Sequence, residues 1–304
     1  MTRRAIWLAA VSVVAQRLPL QPVPGGKVAL VLQPHHDDHT TDYGMGGLIA
    51  KLCDAGYEAW FVRASNDEKD GSHGYPHNDM INQRESEAAT RILGMKGVWS
   101  LNWRNDYMDP VPLGELHEQL ILLIRKYRPD VVLGHDPWAH YDRNPDHRKV
   151  ARAAAEAVWM AGLANVHPEH FAEGLKPHRV PYQFLKARVD YGRGHEANVA
   201  VELNEEQVRR KQKAYSAHRN VYASPAMARS VRAQLKAEGL LAPDLENKTD
   251  EEAAVLIEEW HMDWVSRKRG AENGVRYAEV YWYVDEFDYL PGLKDYLRQS
   301  VVKK

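Results

Sequence analysis

Between residues 27 and 165 the chain alternates between two patterns of apolar and polar positions. The unbroken apolar run Val28-Ala29-Leu30-Val31-Leu32 predicts a strand covered on both faces, the kind found in parallel sheets. Helical periodicity follows at 45–55, a second strand at 58–64, a polar loop at 65–78, a helix at 81–93 and a third strand at 98–103. A helix at 113–127 and a fourth strand at 131–134 complete the series. Strands alternating with helices in this way predict an α/β fold, a doubly wound, mostly parallel sheet flanked by helices. Such sheets bind ligands beyond the carboxyl ends of their strands, where the strand order switches, which directs attention to the loops after the first and fourth strands.

Past residue 165 the pattern is weaker. It predicts strands at 183–189 and 199–203, helices at 205–218, 226–239 and 250–268, and a late strand at 277–284 whose Tyr281-Trp282-Tyr283 alternates between core and surface. Asn204 with Gln207, and Thr249 with Glu252, stand at capping-box spacing before two of these helices. The organisation expected is an N-terminal segment 1–26, a domain over 27–220, and a C-terminal α+β extension over 221–304 packed on the same domain. Arg3 and Arg4 precede the apolar stretch 5–15, which fits either an export signal or an amphipathic helix followed by a Pro/Gly linker over 18–26. The helix, with a cytoplasmic location, is the reading adopted. Eleven residues are too few to cross a bilayer, which takes about 18–20.

Charge and composition narrow the function. Over 304 residues, 40 Lys and Arg oppose 42 Asp and Glu, a net charge of −2 that lacks the electrostatic footprint of a nucleic-acid binder. The single cysteine, Cys53, excludes an intrachain disulfide and a cysteine zinc site, and reads as a small buried apolar residue. Fifteen histidines make their placement the next question.

The loop after the first strand reads Pro34-His35-His36-Asp37-Asp38-His39, five consecutive metal-capable side chains at the expected ligand-binding edge. Crowding such groups without a cation means desolvating carboxylates against one another, whereas a divalent ion turns the repulsion into coordination. In a turn, His35 and Asp38 face one side and Asp37 another. The fourth strand ends at His135-Asp136-Pro137-Trp138, and Asn144-Pro145-Asp146-His147 then opens a helix, with Asn144 as N-cap and Pro145 in the first helical position. His35, Asp38 and His147 would leave a fourth position for water, as catalytic zinc sites do, and Asp37 could accept the proton of that water. This much points to a metal-dependent hydrolase.

These residues resemble two motifs of the PIG-L or LmbE-like deacetylases, which include the N-acetylglucosaminyl-phosphatidylinositol, mycothiol-pathway and bacillithiol-pathway enzymes. The first motif, usually His-Pro-Asp-Asp-Glu before a glycine pair, stands here as His35-His36-Asp37-Asp38-His39 with Gly46-Gly47. The second, usually His-Pro-Asp-His, stands as Asn144-Pro145-Asp146-His147. Arg84 and Glu87 before Leu93-Gly94, and Lys211, Ala214 and His218, add weaker support, so the resemblance covers about 28–218. It implies a Rossmann-like fold, one zinc ion (or another divalent metal) on His35, Asp38 and His147, Asp37 as general base, and N-deacetylation of a small amino-sugar substrate or its conjugate. Asp37, Asn144 and Asp146 are the candidate catalytic residues, and Arg84, Trp138, His140 and His218 the candidate substrate contacts.

Three departures bear on that reading. His36 replaces proline and His39 replaces glutamate, which could add a rival ligand or change how the loop is tethered. Asn144 replaces a histidine; an amide can donate to an oxyanion but cannot titrate, so the proton falls to His140 or His218, or to Asp37 acting as base and then acid. His73 and His77, with Gly71 and Gly74, read as a mobile rim of the pocket or as plain exposed loop histidines. Hydrolysis of another bond, such as a phosphoester at a two-metal site, and a carbohydrate-binding relic without turnover remain the alternatives.

Overall fold

A computed structural model describes residues 17–41, 44–74, 76–138, 142–186, 197–222, 224–285 and 299. The strands are β1 (Val28–Gln33), β2 (Glu58–Ser65), β3 (Gly97–Trp103), β4 (Val131–His135), β5 (Tyr182–Lys186), β6 (Val199–Glu202) and β7 (Ala278–Val284). The helices are α1 (Gly46–Asp54), α2 (His77–Leu93), α3 (Leu113–Tyr127), α4 (Pro145–Met160), α5 (Glu205–Tyr215), α6 (Arg219–Tyr222), α7 (Pro225–Ala237), α8 (Pro243–Glu246) and α9 (Asp250–Asn273). One seven-stranded sheet runs β3-β2-β1-β4-β5-β7-β6. Strands β1 to β5 pair in parallel, and β7 lies antiparallel to both β5 and β6. The order reverses between β1 and β4, so the loops leaving these two strands border the switch-point crevice.

The continuous apolar run of β1 follows from its two covered faces. Ala29 and Val31 belong to the core beneath α1, α2 and α5, while Leu30 and Leu32 belong to the core beneath α3 and α4. A strand with one wet face would alternate instead.

The C-terminal strand is part of this sheet, because β7 is wedged between β5 and β6 and carries a buried carboxylate that the first helix needs. Glu279 accepts hydrogen bonds from the backbone N–H of Gly47 (3.1 Å) and Leu48 (2.8 Å), orphan donors at the start of α1, and from Lys211 Nζ at 2.7 Å. The glycine pair permits this approach: a Cβ on Gly47 would lie 2.3 Å from Leu203 Cδ1, and one on Gly46 would lie 3.0 Å from Lys211 Cγ.

Differences from the expected elements have local causes. The helix expected over 205–218 breaks after Tyr215, and α6 restarts at Arg219 beyond the fully buried His218. Helix α9 continues past 268 to Asn273, where Gly274 at φ +78° ends it; a Cβ on Gly270 would lie 2.5 Å from the backbone of Arg276, so that glycine serves a close approach within the helix. Both expected capping boxes form, at Asn204 and Thr249. The linker 18–26 is tied down, with Leu20 bridging to Ala200 and Leu18 N–H donating to Asn273 Oδ1 at 2.9 Å, while residues 1–16 and the end of the strand expected at 183–189 lie outside the described residues. Cys53 is partly buried, and burial pushes its thiol up to about 11. No described helix is long and apolar enough to cross a membrane.

Burial by itself would raise the Glu279 carboxyl, but Lys211 and then Lys186 more than offset it and hold it at about 2. The stability this contributes is present above the unfolded carboxylate pKa of about 4.3 and is lost as pH falls toward 2. Glu279→Gln leaves Lys211 buried without its counter-charge and should lower the unfolding free energy by about 3–5 kcal/mol in urea titration at neutral pH, a loss that shrinks in acid.

Candidate metal centre

The loop leaving β1 folds into tight turns that turn its side chains to different sides. Asp38 Oδ2 accepts from the His35 N–H at 2.9 Å, and the Asp37 carbonyl accepts from both the N–H and the hydroxyl of Thr40 at 2.8 Å. Across the crevice, Asn144 caps α4 as expected, its Oδ1 accepting from Asp146 N–H at 2.8 Å, and this sets His147 in the first turn.

Three buried side chains meet where these segments face each other. His35 Nδ1 lies 3.1 Å from His147 Nε2 and 3.2 Å from Asp38 Oδ2, and His147 Nε2 lies 3.3 Å from Asp38 Oδ1. Ligands on a tetrahedral ion with bonds of about 2.0–2.2 Å stand about 3.3–3.6 Å apart, close to the spacing found here, so the geometry and the His₂Asp donor set fit zinc or a similar ion. Electrostatics point the same way. Burial would lower His35, but Asp38 and Asp146 more than offset it and raise it well above the ordinary imidazole range. Burial would likewise raise Asp38, yet His147 and His35 pull it well below the usual carboxylate range. This enclosed set of carboxylates calls for positive charge, which a cation supplies.

Both imidazoles are oriented from behind. His147 Nδ1 lies 2.8 Å from Asp142 Oδ2, which leaves Nε2 for the centre, and His35 Nε2 lies 3.3 Å from Asp146 Oδ2, which leaves Nδ1. Asp146, expected among the catalytic residues, is fully buried, and its oxygens also accept from the N–H groups of Asp106 (2.7 Å) and Met108 (3.0 Å). That is the placement of a positioning group behind His35, not of one that touches substrate. Stacked on His147 with ring centroids 4.9 Å apart, His135 brings Nε2 to 3.7 Å from Asp38 Oδ2.

The triad floors a cleft of about 290 Å³. Asp37, Asp70, Asn144 and Tyr222 line it, and the Tyr222 hydroxyl donates to Asp37 Oδ2. Asn144 thus both caps the helix and faces the cleft, with Nδ2 turned to Asp106 Oδ1 at 3.4 Å. Other expected contacts fall elsewhere. Arg84 is on the exposed face of α2 and does not line the cleft. Trp138 is 61% exposed in the loop leaving β4, outside the lining, with its N–H bonded to Asp136 Oδ1. His140 lies outside the described residues. His218 is completely buried behind the first loop, edge-on to His36 at 5.1 Å; burial, with His36 and His39 beside it, holds it well below the ordinary imidazole range.

His36 and His39 do not join the His35–Asp38–His147 cluster. His39 packs on Phe61 with ring centroids 4.0 Å apart, and burial lowers it to about 3. His36 turns Nδ1 toward Asp67, 3.6 Å away. The rim expected to be mobile is hydrogen-bonded in place: Asn220 accepts from Ser72 N–H at 3.2 Å, pairs with His73 Nδ1 at 2.7 Å and donates to Asn82 Oδ1 at 2.8 Å. Sequence reasoning missed Asp142, Tyr222 and Asp106. Asp142 left a signal, since its Oδ1 accepts from Asn144 N–H at 2.9 Å in an Asx turn that leads into the helix. Tyr222, 185 residues from Asp37, left none.

Known proteins similar to this chain point to its family and fold. Residues 30–158 match the family model for PIG-L, GlcNAc-PI de-N-acetylase. The chain is 31% identical over 167 residues to the diacetylchitobiose deacetylase of Thermococcus kodakarensis, a match covering 53% of this chain and 60% of that protein, so it spans less than two thirds of the relative's length. The N,N'-diacetylchitobiose deacetylase of Pyrococcus horikoshii superposes with a TM-score of 0.63 at 27% identity, over 85% of this chain and 84% of that one. A 4-carboxy-2-hydroxymuconate hydratase from Pseudomonas putida, 18% identical, shares the fold with a TM-score of 0.61 over 86% of this chain and 98% of its own. Over residues 30–158 the chain is thus similar to the PIG-L or LmbE-like family.

Proposed function

We infer that this protein is a metal-dependent hydrolase that removes an N-acetyl group from a small amino sugar or amino-sugar conjugate. The observation that carries the reading is the convergence of His35, Asp38 and His147 on one point beneath a cleft that also presents Asp37. The kinship with deacetylases of N-acetylated sugars supplies the bond and the substrate class. A zinc ion on His35, Asp38 and His147 would supply Lewis acidity and lower the pKa of a water toward about 7.

The chain's own residues divide the remaining work. Asp37 faces the cleft without belonging to the ligand triad, and it takes the proton of the attacking water. The Tyr222 hydroxyl occupies Oδ2 of Asp37, which orients the carboxylate and leaves Oδ1 to receive that proton. The same group then returns the proton to the departing amine, because Asn144 cannot titrate and His218 is sealed away from the cleft. Asn144 Nδ2, anchored to Asp106, is the amide donor available to the oxyanion. Asp142 and Asp146 hold the two imidazoles in the tautomers that present a lone pair to the metal. The cleft suits a single sugar ring, and Trp138 on the same sheet edge offers an aromatic face to the remainder of a conjugate.

Acetate release from a panel of N-acetylated amino sugars and glycosides tests the proposal; chelator-sensitive release is expected, and silence from metal-loaded protein would refute it. In the same assay Asp37→Asn should lower kcat by roughly 10²–10⁴-fold with metal content unchanged. Asp142→Asn should weaken metal binding by about 10–100-fold through the loosened His147 ring, measured by competition with a chromophoric chelator. Because Asp38 and Asp146 outweigh burial and raise His35 above the ordinary imidazole range, zinc competes there with a proton. Calorimetry in buffers of different ionisation enthalpy should therefore show proton release on zinc binding that fades as pH rises through the His35 pKa.

A further inference from the structure

Behind the first loop lies a second set of metal-capable side chains that the proposed reaction does not use. His36 from the loop, Glu85 from α2 and His218 from the link between α5 and α6 each bring a ligand atom within 4.8 Å of the others. His36 and His218 are completely buried. Both ring nitrogens of His218, and Nε2 of His36, are buried without a hydrogen-bond partner. An imidazole sealed from water with neither nitrogen satisfied, as His218 is, is costly, and its edge-on meeting at 5.1 Å with the unpaired Nε2 edge of His36 beside a carboxylate calls for a common partner.

We propose that His36, Glu85 and His218 form a second divalent-cation site, distinct from the His35–Asp38–His147 triad. Two imidazoles and one carboxylate make a borderline donor set, suited to Zn²⁺, Co²⁺ or Ni²⁺, whereas Mg²⁺ and Ca²⁺ favour oxygen ligands throughout. The support behind each ligand fits this use. His36 Nδ1 faces the buried Asp67 carboxylate at 3.6 Å, which leaves Nε2 to bind and repeats the carboxylate–imidazole arrangement of Asp142 and His147. The Asp67 carboxylate is itself fixed by Arg63 Nη1 at 2.9 Å and the Ser65 hydroxyl at 2.6 Å. The Glu85 oxygens accept from Asn220 N–H at 3.1 Å, and a carboxylate has lone pairs to spare beyond that bond. A His36–Asp67 pair alone would engage one side of one ring and leave His218 unsatisfied.

The bound ion joins α2, the first loop and the start of α6, the helix whose Tyr222 touches Asp37. It acts as a staple that seats the wall of the cleft.

Metal content after equilibrium dialysis against buffered zinc tests the site without reference to turnover. The full chain should hold two equivalents, His147→Ala one, and the double variant His147→Ala/Glu85→Gln none. Glu85→Gln is isosteric at a partly exposed position, so it spares the fold, and His36→Asn provides an independent second removal. In the His147→Ala background, zinc should still raise the melting temperature, and Glu85→Gln should abolish that shift. A single equivalent that His147→Ala removes overturns the proposal, as do two equivalents that survive both Glu85→Gln and His36→Asn. Failure of the first site reads differently, as zinc content unmoved by His147→Ala.

Discussion

The arrangement depends on the neutralisation of buried carboxylates at the switch point of the sheet. Asp38 is held between two imidazoles, and Asp142 and Asp146 stand behind those imidazoles. Taking so many carboxylates out of water is tolerable only where positive charge gathers among them. Raised His35 and depressed Asp38 are the metal-free expression of that demand. A divalent cation meets that demand directly, and this is why a metal reading and a folding reading of the same residues coincide.

The sheet makes this concentration of charge geometrically stable. β1 and β4 are buried on both faces, and their ends are fixed by parallel pairing in register, so the loops that leave them start from rigid positions. The turn after β1 and the capped start of α4 then aim His35, Asp38 and His147 with little freedom left to lose. At the other end of the chain, Glu279 carries the same logic into the core, where one carboxylate closes the first turn of α1 and balances Lys211. The late strand β7 is thereby bound to the first helix.

The departures from the family motifs have separate physical consequences. Asn144 keeps the capping role that any short polar side chain can fill, and it loses the ability to titrate. His39 trades a carboxylate for an aromatic ring that packs on Phe61. The ring of His36 reaches behind the loop toward His218 and Glu85, and replaces a residue that could make no such contact.

Much of the fold, and the meeting of the three proposed ligands, was legible in the sequence because both rest on local rules. An apolar run specifies a two-faced strand, Asn-Pro specifies a helix start, and adjacent histidines and aspartates in a turn specify metal chemistry wherever the turn is placed. The antiparallel insertion of β7, the seating of Tyr222 on Asp37, the retreat of Asp146 behind His35 and the burial of His218 belong to the tertiary structure alone. Each depends on contacts between residues tens to hundreds of positions apart, whose partners are chosen by packing and charge balance in three dimensions and leave no periodicity or spacing along the chain.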